Sequence, residues 1–394
     1  MFGLEDDFSV TRASYESMVD WIVEELDEAK DMVPVDRPAE EFGKITKGVC
    51  LAEKANLLLY ANSKLHDPAS SPSGPLYSYN KNTWLEVADA AKAVIDMTQY
   101  SLQPVNNWED YTKIFLQPNS EMIFAKARNP NFEGTSAPSL DLTQSPCGWG
   151  GWSWNSPTQN VVDDYQMANG MDIDELGSGY DPSANSIYEN RELRFYANIL
   201  YNGAPFRERE IEQFLPGGKD SGDGCGALED VSATSYNLRK FLDEDLDFLS
   251  TNDSRAPWIF IRLSEMYLVY AEAQYNLGNE PLARMYVNMI RNRVNLPDIL
   301  SSGDELFKDI QHERRIELMF EGHRFFDVRR WMIADVTENE DMIGLDWTKS
   351  GSGVLTYVSK TVQTRNWGDK LYYLPIPADE MQKSTLLDQN TGYN

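Results

Sequence analysis

Residues 262–293 read RLSEMYLVYAEAQYNLGNEPLARMYVNMIRNR, and the spacing within this stretch decides the fold. Leu263, Met266, Tyr267, Tyr270 and Ala271 fall at i, i+3, i+4, i+7 and i+8, the stripe of an amphipathic helix. Gly278 and Asn279 supply a break, Pro281 suits the first turn of a new helix, and Leu282, Met285, Tyr286, Met289 and Ile290 repeat the spacing. So short a connection makes the two helices antiparallel neighbours, and the small side chains of Ala271 and Ala273 let them approach closely. A third helical run, DELFKDIQHERRIELMFEGHRFFDVRRW, follows at 304–331 with an interruption at Gly322.

A lone helix pair cannot bury its own apolar face, so partners are sought outward along the chain. The order AEA, LGN and a second helix beginning near an alanine resembles a tetratricopeptide unit, which stacks on neighbours of the same kind. Residues 9–33, SVTRASYESMVDWIVEELDEAKDMV, predict one helix with Tyr15, Met18, Val19, Ile22 and Leu26 on its apolar face and Pro34 at its end. Residues 48–65, GVCLAEKANLLLYANSKL, are apolar nearly all round, which predicts a helix buried on two sides. Past a Pro- and Ser-rich loop, residues 84–97, WLEVADAAKAVIDM, complete a second pair. About two hundred residues separate the pairs, so they stack only if the chain folds back on itself. Between 103 and 256 the helical period fades into Pro, Gly, Asn and Ser with a few short strand-like runs, and loops this long point to function. The tail from 335 is mixed; in KLYYLPIPADEM each proline biases its predecessor toward extended backbone, and this segment is expected to pack back across the helices.

Composition excludes several classes of function. The 394 residues carry 63 Asp and Glu against 35 Lys and Arg, a net charge of −28, which argues against electrostatic binding of nucleic acid or of an anionic membrane surface. Twenty Tyr, sixteen Phe and ten Trp suit a protein that stacks flat ligands or sugars, although large cores also use aromatics. The three cysteines, Cys50, Cys147 and Cys225, define no disulfide framework and no thiolate metal site by spacing, and Cys50 reads as a buried helical thiol. No stretch approaches a membrane span, and MFGLEDDFSV at 1–10 lacks the pattern of a signal peptide, which taken alone says cytoplasm.

Catalytic and metal signatures fail. His66, His312 and His323 form no helical zinc pair, because Ile316 stands where His312-Glu313 would need a second histidine. No nucleophile elbow, phosphate loop or dinucleotide fingerprint is present, and no cofactor is expected. The alternating acids Asp243, Asp245 and Asp247 lack the glycine and closing glutamate of a calcium loop and read as a solvated face. Glu313, Glu317 and Glu321 form a like-charge row at i, i+4, i+8 that something must neutralise. Arg284 and Arg291 on the preceding helix, or Arg314, Arg324, Arg329 and Arg330 nearer by, are the candidates. The row reads as an ion network holding the fold rather than an acidic ligand site, since arginine forks suit buried carboxylates.

The strongest ligand signal is SPCGWGGWSWNSPTQN at 145–160. Trp149, Trp152 and Trp154 crowd into six residues among glycines that let the backbone come close, and Asn155, Gln159 and Asn160 offer the amides that sugar hydroxyls need. The competing reading tucks the indoles into the core as anchors. Tyr77, Tyr79 and Trp84, beside Asn80 and Asn82, form a weaker cluster, with Trp84 placed in a helical stripe and so read as core.

Several separated blocks together resemble the SusD/RagB family: RLSEMYLVYAEA, MIRNR, ERRIELMFEGHRFFDVRRW, LPIPADEM and QNTGY, with DDYQMANG, NRELRFYANILYNG and YNLRKFLDEDLDF in the middle and KGVCLAEKANLLLYANSK and WLEVADAAKAVI before them. Order and spacing agree from about residue 10 onward; Ser384 and Thr391 depart from the Asn and Pro more usual in the closing block. The resemblance implies a mostly α-helical, SusD-like single unit over 1–394 in which tetratricopeptide-like helix pairs form a scaffold under a long irregular middle with a few short strands. Its parts would be N-terminal helical repeats at 1–102, an irregular ligand-binding region at 103–256, C-terminal helical repeats at 257–334 and a tail at 335–394. It implies non-catalytic capture of a glycan at the outer face of the outer membrane and delivery to a SusC-type TonB-dependent transporter. Members are usually longer at the front, so a secretion signal and a lipidated cysteine, the only tie to the membrane, are expected to precede this sequence. A peptide-binding RagB-like member would share every block quoted, and a helical polysaccharide-degrading enzyme is the more distant alternative.

Overall fold

The helix Leu263–Asn276 lies inside a row of helices in the computed structural model, which describes residues 11–70, 77–127, 139–251, 254, 256–384 and 386–393. The stretch 1–10 and part of the loop at 67–82 fall outside these. Helix Tyr15–Met32, capped by Ser14 Oγ accepting from the Ser17 amide at 3.2 Å, packs on Lys47–Ala61, and that helix packs on Trp84–Ile95. Trp84–Ile95 then packs on Leu263–Asn276, which is followed by Glu280–Arg293 and Gly303–Glu317. The chain does fold back, and one core runs from Val19 through Val49, Val87, Leu263 and Ala283 to Ile310.

Two helices depart from the expected stripes. Flanked by Trp84–Ile95 on one side and Glu280–Arg293 on another, Leu263–Asn276 is buried nearly all round, Ser264, Glu265 and Glu272 included. Glu280–Arg293 buries Ala283, Tyr286, Val287 and Ile290, while Met285 and Met289 stay about two-fifths exposed. Its face is rotated by roughly one residue because the small Ala283 and the β-branched Val287 fit the close contact better than flexible methionines.

The irregular middle hangs from the scaffold by its two ends. Strand Met122–Lys126 pairs antiparallel with Trp258–Arg262, so the chain leaves the helices and rejoins them at one place. Between them lie strands of only two residues and helices of four to six, such as Leu140–Gln144, Gln159–Asp163 and Leu193–Asn198, too short to show a period in sequence. Among the described residues the longest strands are in the tail: Met342–Lys349 pairs antiparallel with Leu355–Gln363, and Phe214–Leu215 adds in parallel. The KLYYLPIPADEM segment does return across the helices, its Tyr372 and Tyr373 packing with Leu65, Val328 and Ala334. Among the described residues no helix is long and apolar enough to cross a membrane.

The acidic row is neutralised largely by residues distant in sequence. Glu317 receives Arg262 at 2.6 Å, Arg194 at 3.0 Å and a short contact from Arg293; Glu321 receives Arg262 at 2.7 Å and Lys240 at 2.8 Å; Glu313 receives Arg194 at 2.5 Å and Arg291 at 3.3 Å. Of the candidates, only Arg291 serves the row. Arg284 bonds Glu280 and the Ser301 carbonyl, while Arg314 and Arg330 hold Asp327, and Arg330 also holds Glu272. Because Arg194 and Lys240 belong to the irregular middle, this network locks that region onto the helices.

Burial alone would raise the carboxyl of Glu321, but Arg262 and Lys240 outweigh it and hold it down to about 2. Its folded value lies below its ordinary 4.5, so its contribution to stability is full above that pH and is lost as pH falls toward 2. Unfolding free energy by urea titration should therefore decline across this window, by on the order of 3 kcal/mol from this group. Glu321→Gln should flatten part of that slope, and an unchanged slope would place the acid titration elsewhere.

Candidate functional site

The tryptophan-bearing loop is folded back on the helix that precedes it. Ser139 caps Leu140–Gln144, and the amides of Trp152, Ser153 and Trp154 donate to the carbonyls of Leu142, Ser145 and Thr143 at 3.0, 3.2 and 2.9 Å. Asn155 donates its backbone and side-chain N–H groups to Gln144 Oε1 at 3.1 and 2.8 Å. The glycines permit this fold: a Cβ on Gly151 would lie 2.2 Å from the Ser145 carbonyl oxygen, and Gly150 takes φ +82°. Cys147, at the start of the loop, is joined to Cys225 by a disulfide with a Cα–Cα distance of 5.3 Å, whereas Cys50 is a buried free thiol.

The three indoles differ in their surroundings. Trp149 turns inward, edge-on to Phe206 at 5.8 Å, with the Arg209 guanidinium 4.6 Å from its ring centre, and it packs on the cluster of Leu200, Ala204, Phe206, Ile211 and Leu242. Trp152 and Trp154 turn away from that cluster and form a tilted pair, ring centres 5.1 Å apart at 40°, in which Trp154 is 62% exposed. Asn155 is exposed beside the pair. Asn160 spends its amide on the tail hairpin, donating to the Asp341 carbonyl at 3.1 Å and accepting from the Ile343 amide at 2.9 Å, so it orients backbone and lies apart from the indole pair.

From Trp154 the chain runs into the wall of a cleft of about 530 Å³, lined by Ser156, Pro157, Thr158 and Asn160 on one side and by Arg314, Arg315, Phe320, Arg324 and Thr337 on others. The sequence reading passed over this cleft. Its one available signal was the surplus of arginines in ERRIELMFEGHRFFDVRRW. In the weaker cluster, Tyr79, Asn80, Asn82 and Trp84 line a second cavity of about 450 Å³ closed by Glu272, Phe307 and Trp331, while Tyr77 lies apart, stacked on Tyr373 at 4.4 Å. Asp243 and Asp247 bond amides and hydroxyls of their own turn. Among the described residues no three His, Cys, Asp or Glu stand together as a metal site.

Residues 99–393 match the SusD family. The sequence is 23% identical over 348 residues to the SusD-like protein P38 of Formosa agariphila, covering 82% of this chain and 59% of that protein, so the chain spans less than two thirds of this curated relative. In structure it is similar to a SusD-like protein from Bacteroides fragilis NCTC 9343, with a TM-score of 0.81 and 30% identity, covering all of this chain and 74% of the other. It is also similar in fold to a SusD-like carbohydrate binding protein of the same organism, with a TM-score of 0.74 and 23% identity over 96% of this chain and 72% of the other.

Proposed function

The chain therefore belongs to the SusD family, and on that premise we propose that it captures a glycan at the outer face of the outer membrane, without turnover, and delivers it to a SusC-type TonB-dependent transporter. The observation that carries this reading is the Trp152–Trp154 pair. A loop held by backbone hydrogen bonds displays a 62% exposed indole where a core would bury it, and indole faces stack on the C–H faces of sugar rings. Preorganisation of the loop lowers the entropy lost when a ligand docks. The Cys147–Cys225 disulfide suits an oxidising compartment outside the cytoplasm, and a relative of the same fold is a carbohydrate binding protein.

A glycan and peptide array probed with the protein should return a glycan, and titrating that glycan should change tryptophan fluorescence to saturation. Aromatic stacking on nucleic-acid bases is worth about 1 to 3 kcal/mol per ring, and sugar stacking of similar size makes Trp154→Ala weaken binding roughly tenfold or more while the melting temperature holds. Trp149→Ala should instead lower the melting temperature, since its ring packs on the Phe206 cluster. Unchanged glycan affinity in both Trp152→Ala and Trp154→Ala would remove the pair from the site, and a peptide as sole ligand would replace the ligand class. Release of reducing ends from the bound glycan would replace binding with catalysis. In its native cell the protein should co-purify with a TonB-dependent transporter from outer membranes, and recovery only from the cytosol would overturn the location.

A further inference from the structure

The cleft that continues from the tryptophan loop is lined by Arg314, Arg315, Arg324 and Arg365 and by Asp164, Asp327, Glu338 and Glu340, so its charges are equal in number and what distinguishes it is how the arginines are placed. Most of its arginines are committed: Arg314 Nε bonds Asp327 at 2.9 Å, Arg365 bonds Glu338 at 2.7 Å, and Arg315 makes a short ion pair with Asp164. Arg324, at the start of the helix Arg324–Arg330, lines the same cleft and makes no hydrogen bond or ion pair among the described residues. Two further polar groups face the same lack. Nη1 of Arg314 and Oγ1 of Thr337, in residues of the cleft wall, are also without a hydrogen-bond partner, but both atoms are buried from water and do not open on the space. That leaves Arg324, a guanidinium on the wall of an open space with no acceptor of its own, as the mark of a place for acceptor oxygens. Burial, and then the nearby Arg315, draw the Arg324 guanidinium down to about 10 against the opposing pull of Asp164, Glu338 and Asp327.

We infer that this cleft takes the anionic substituent of an acidic glycan, a carboxylate or a sulfate ester, with Arg324 as its ion-pair partner. The inference rests on the glycan-binding reading above and adds the class of sugar. Its geometry is that of one chain: a glycan stacked on Trp152 and Trp154 would follow the backbone from Trp154 through Ser156 and Thr158 into the cleft. A planar guanidinium can meet a carboxylate or sulfate with two parallel N–H bonds, which gives orientation as well as strength. The 530 Å³ volume holds a sugar unit rather than a lone ion. A chain with a net charge of −28 repels acidic glycans at long range, so selection for them has to be local.

The test compares matched hexasaccharides by isothermal titration calorimetry: oligogalacturonate with its carboxyl-reduced form, and a sulfated carrageenan fragment with its desulfated form. The wild-type protein should favour one acidic member over its neutral match roughly tenfold or more, and the pair that shows this separates carboxylate from sulfate. Arg324→Gln should bring the ratio close to one, and Arg324→Lys should keep part of it. Equal affinity for acidic and neutral members, or binding of neither acidic member, overturns the inference, as does a preference that survives Arg324→Gln at an unchanged melting temperature. If neutral hexasaccharides bind and lose affinity in Trp154→Ala without any acidic preference, the glycan reading stands and only the cleft assignment falls.

Discussion

Replacing Glu317 with alanine is expected to destabilise the fold by about 3 to 5 kcal/mol, because it breaks a buried ion network by removing one partner. Five acids, Glu121, Glu192, Glu313, Glu317 and Glu321, face five cations, Arg194, Arg262, Arg291, Arg293 and Lys240, with every side chain at most 6% exposed. The charges balance. Burial opposes the ionised Glu317, yet Arg293, Arg262 and Arg194 together hold its carboxyl well below the usual range, so each of them depends on its charge. Removing that charge leaves one positive charge in excess among side chains at most 6% exposed. The remaining acids cannot absorb it, since Glu121 already receives Arg262 at 2.9 Å and Arg293 at 2.8 Å. Glu317→Gln keeps the shape and should still lose much of the stability, which separates charge from cavity. A melting temperature within a degree of wild type for Glu317→Ala would make the network ornamental to stability.

That network marks the boundary of what was legible in the sequence. The row Glu313, Glu317, Glu321 announced its need for cations through like charges four apart, but Arg194 and Lys240 lie about eighty to one hundred and twenty residues away in segments without a period. The helices were legible because each shows at least two turns of spacing, and the resemblance to the SusD family placed them in one fold. Their facing was less so: the stripe read in Leu263–Asn276 names only part of what that helix buries, since Ser264, Glu265, Leu268 and Glu272 off the stripe are buried too. The hairpin Met342–Lys349 with Leu355–Gln363 was missed because the apolar residues of its second strand, Leu355, Tyr357, Val358 and Val362, do not keep a period of two, Val358 standing exposed. At the candidate site, composition picked out the loop, but which indole turns inward depends on Gly150 at φ +82° and Ser153 at φ 46°. No spacing rule reaches such a backbone. Arg324 went unremarked as a ligand group because an arginine shows its lack of partners only when its neighbours are in place.

Removing the Cys147–Cys225 disulfide by the double change Cys147→Ala, Cys225→Ala should cost roughly 4 kcal/mol, and it should do so with little loss of glycan affinity. The bond closes a separation of 78 residues, and a loop of that length frees much denatured-state entropy when opened. What it joins in the folded state is the inner half of the tryptophan loop: Gly148 lies so close to the Lys219 carbonyl oxygen that a Cβ there would stand 2.3 Å from it, and buried Asp220 is held by Arg209 at 2.9 Å and the Glu212 amide at 2.8 Å. The outer half is tied separately, by the amides of Trp152 and Trp154 to the helix Leu140–Gln144. Loss of the cross-link should therefore lower the melting temperature by several degrees while Trp152 and Trp154 keep their tilt and, below that temperature, their ligand. Dithiothreitol applied to the wild type should move both quantities in the same way. Affinity that collapses with the melting temperature unchanged would show that the cross-link, and not the backbone hydrogen bonds, holds the indole pair in place.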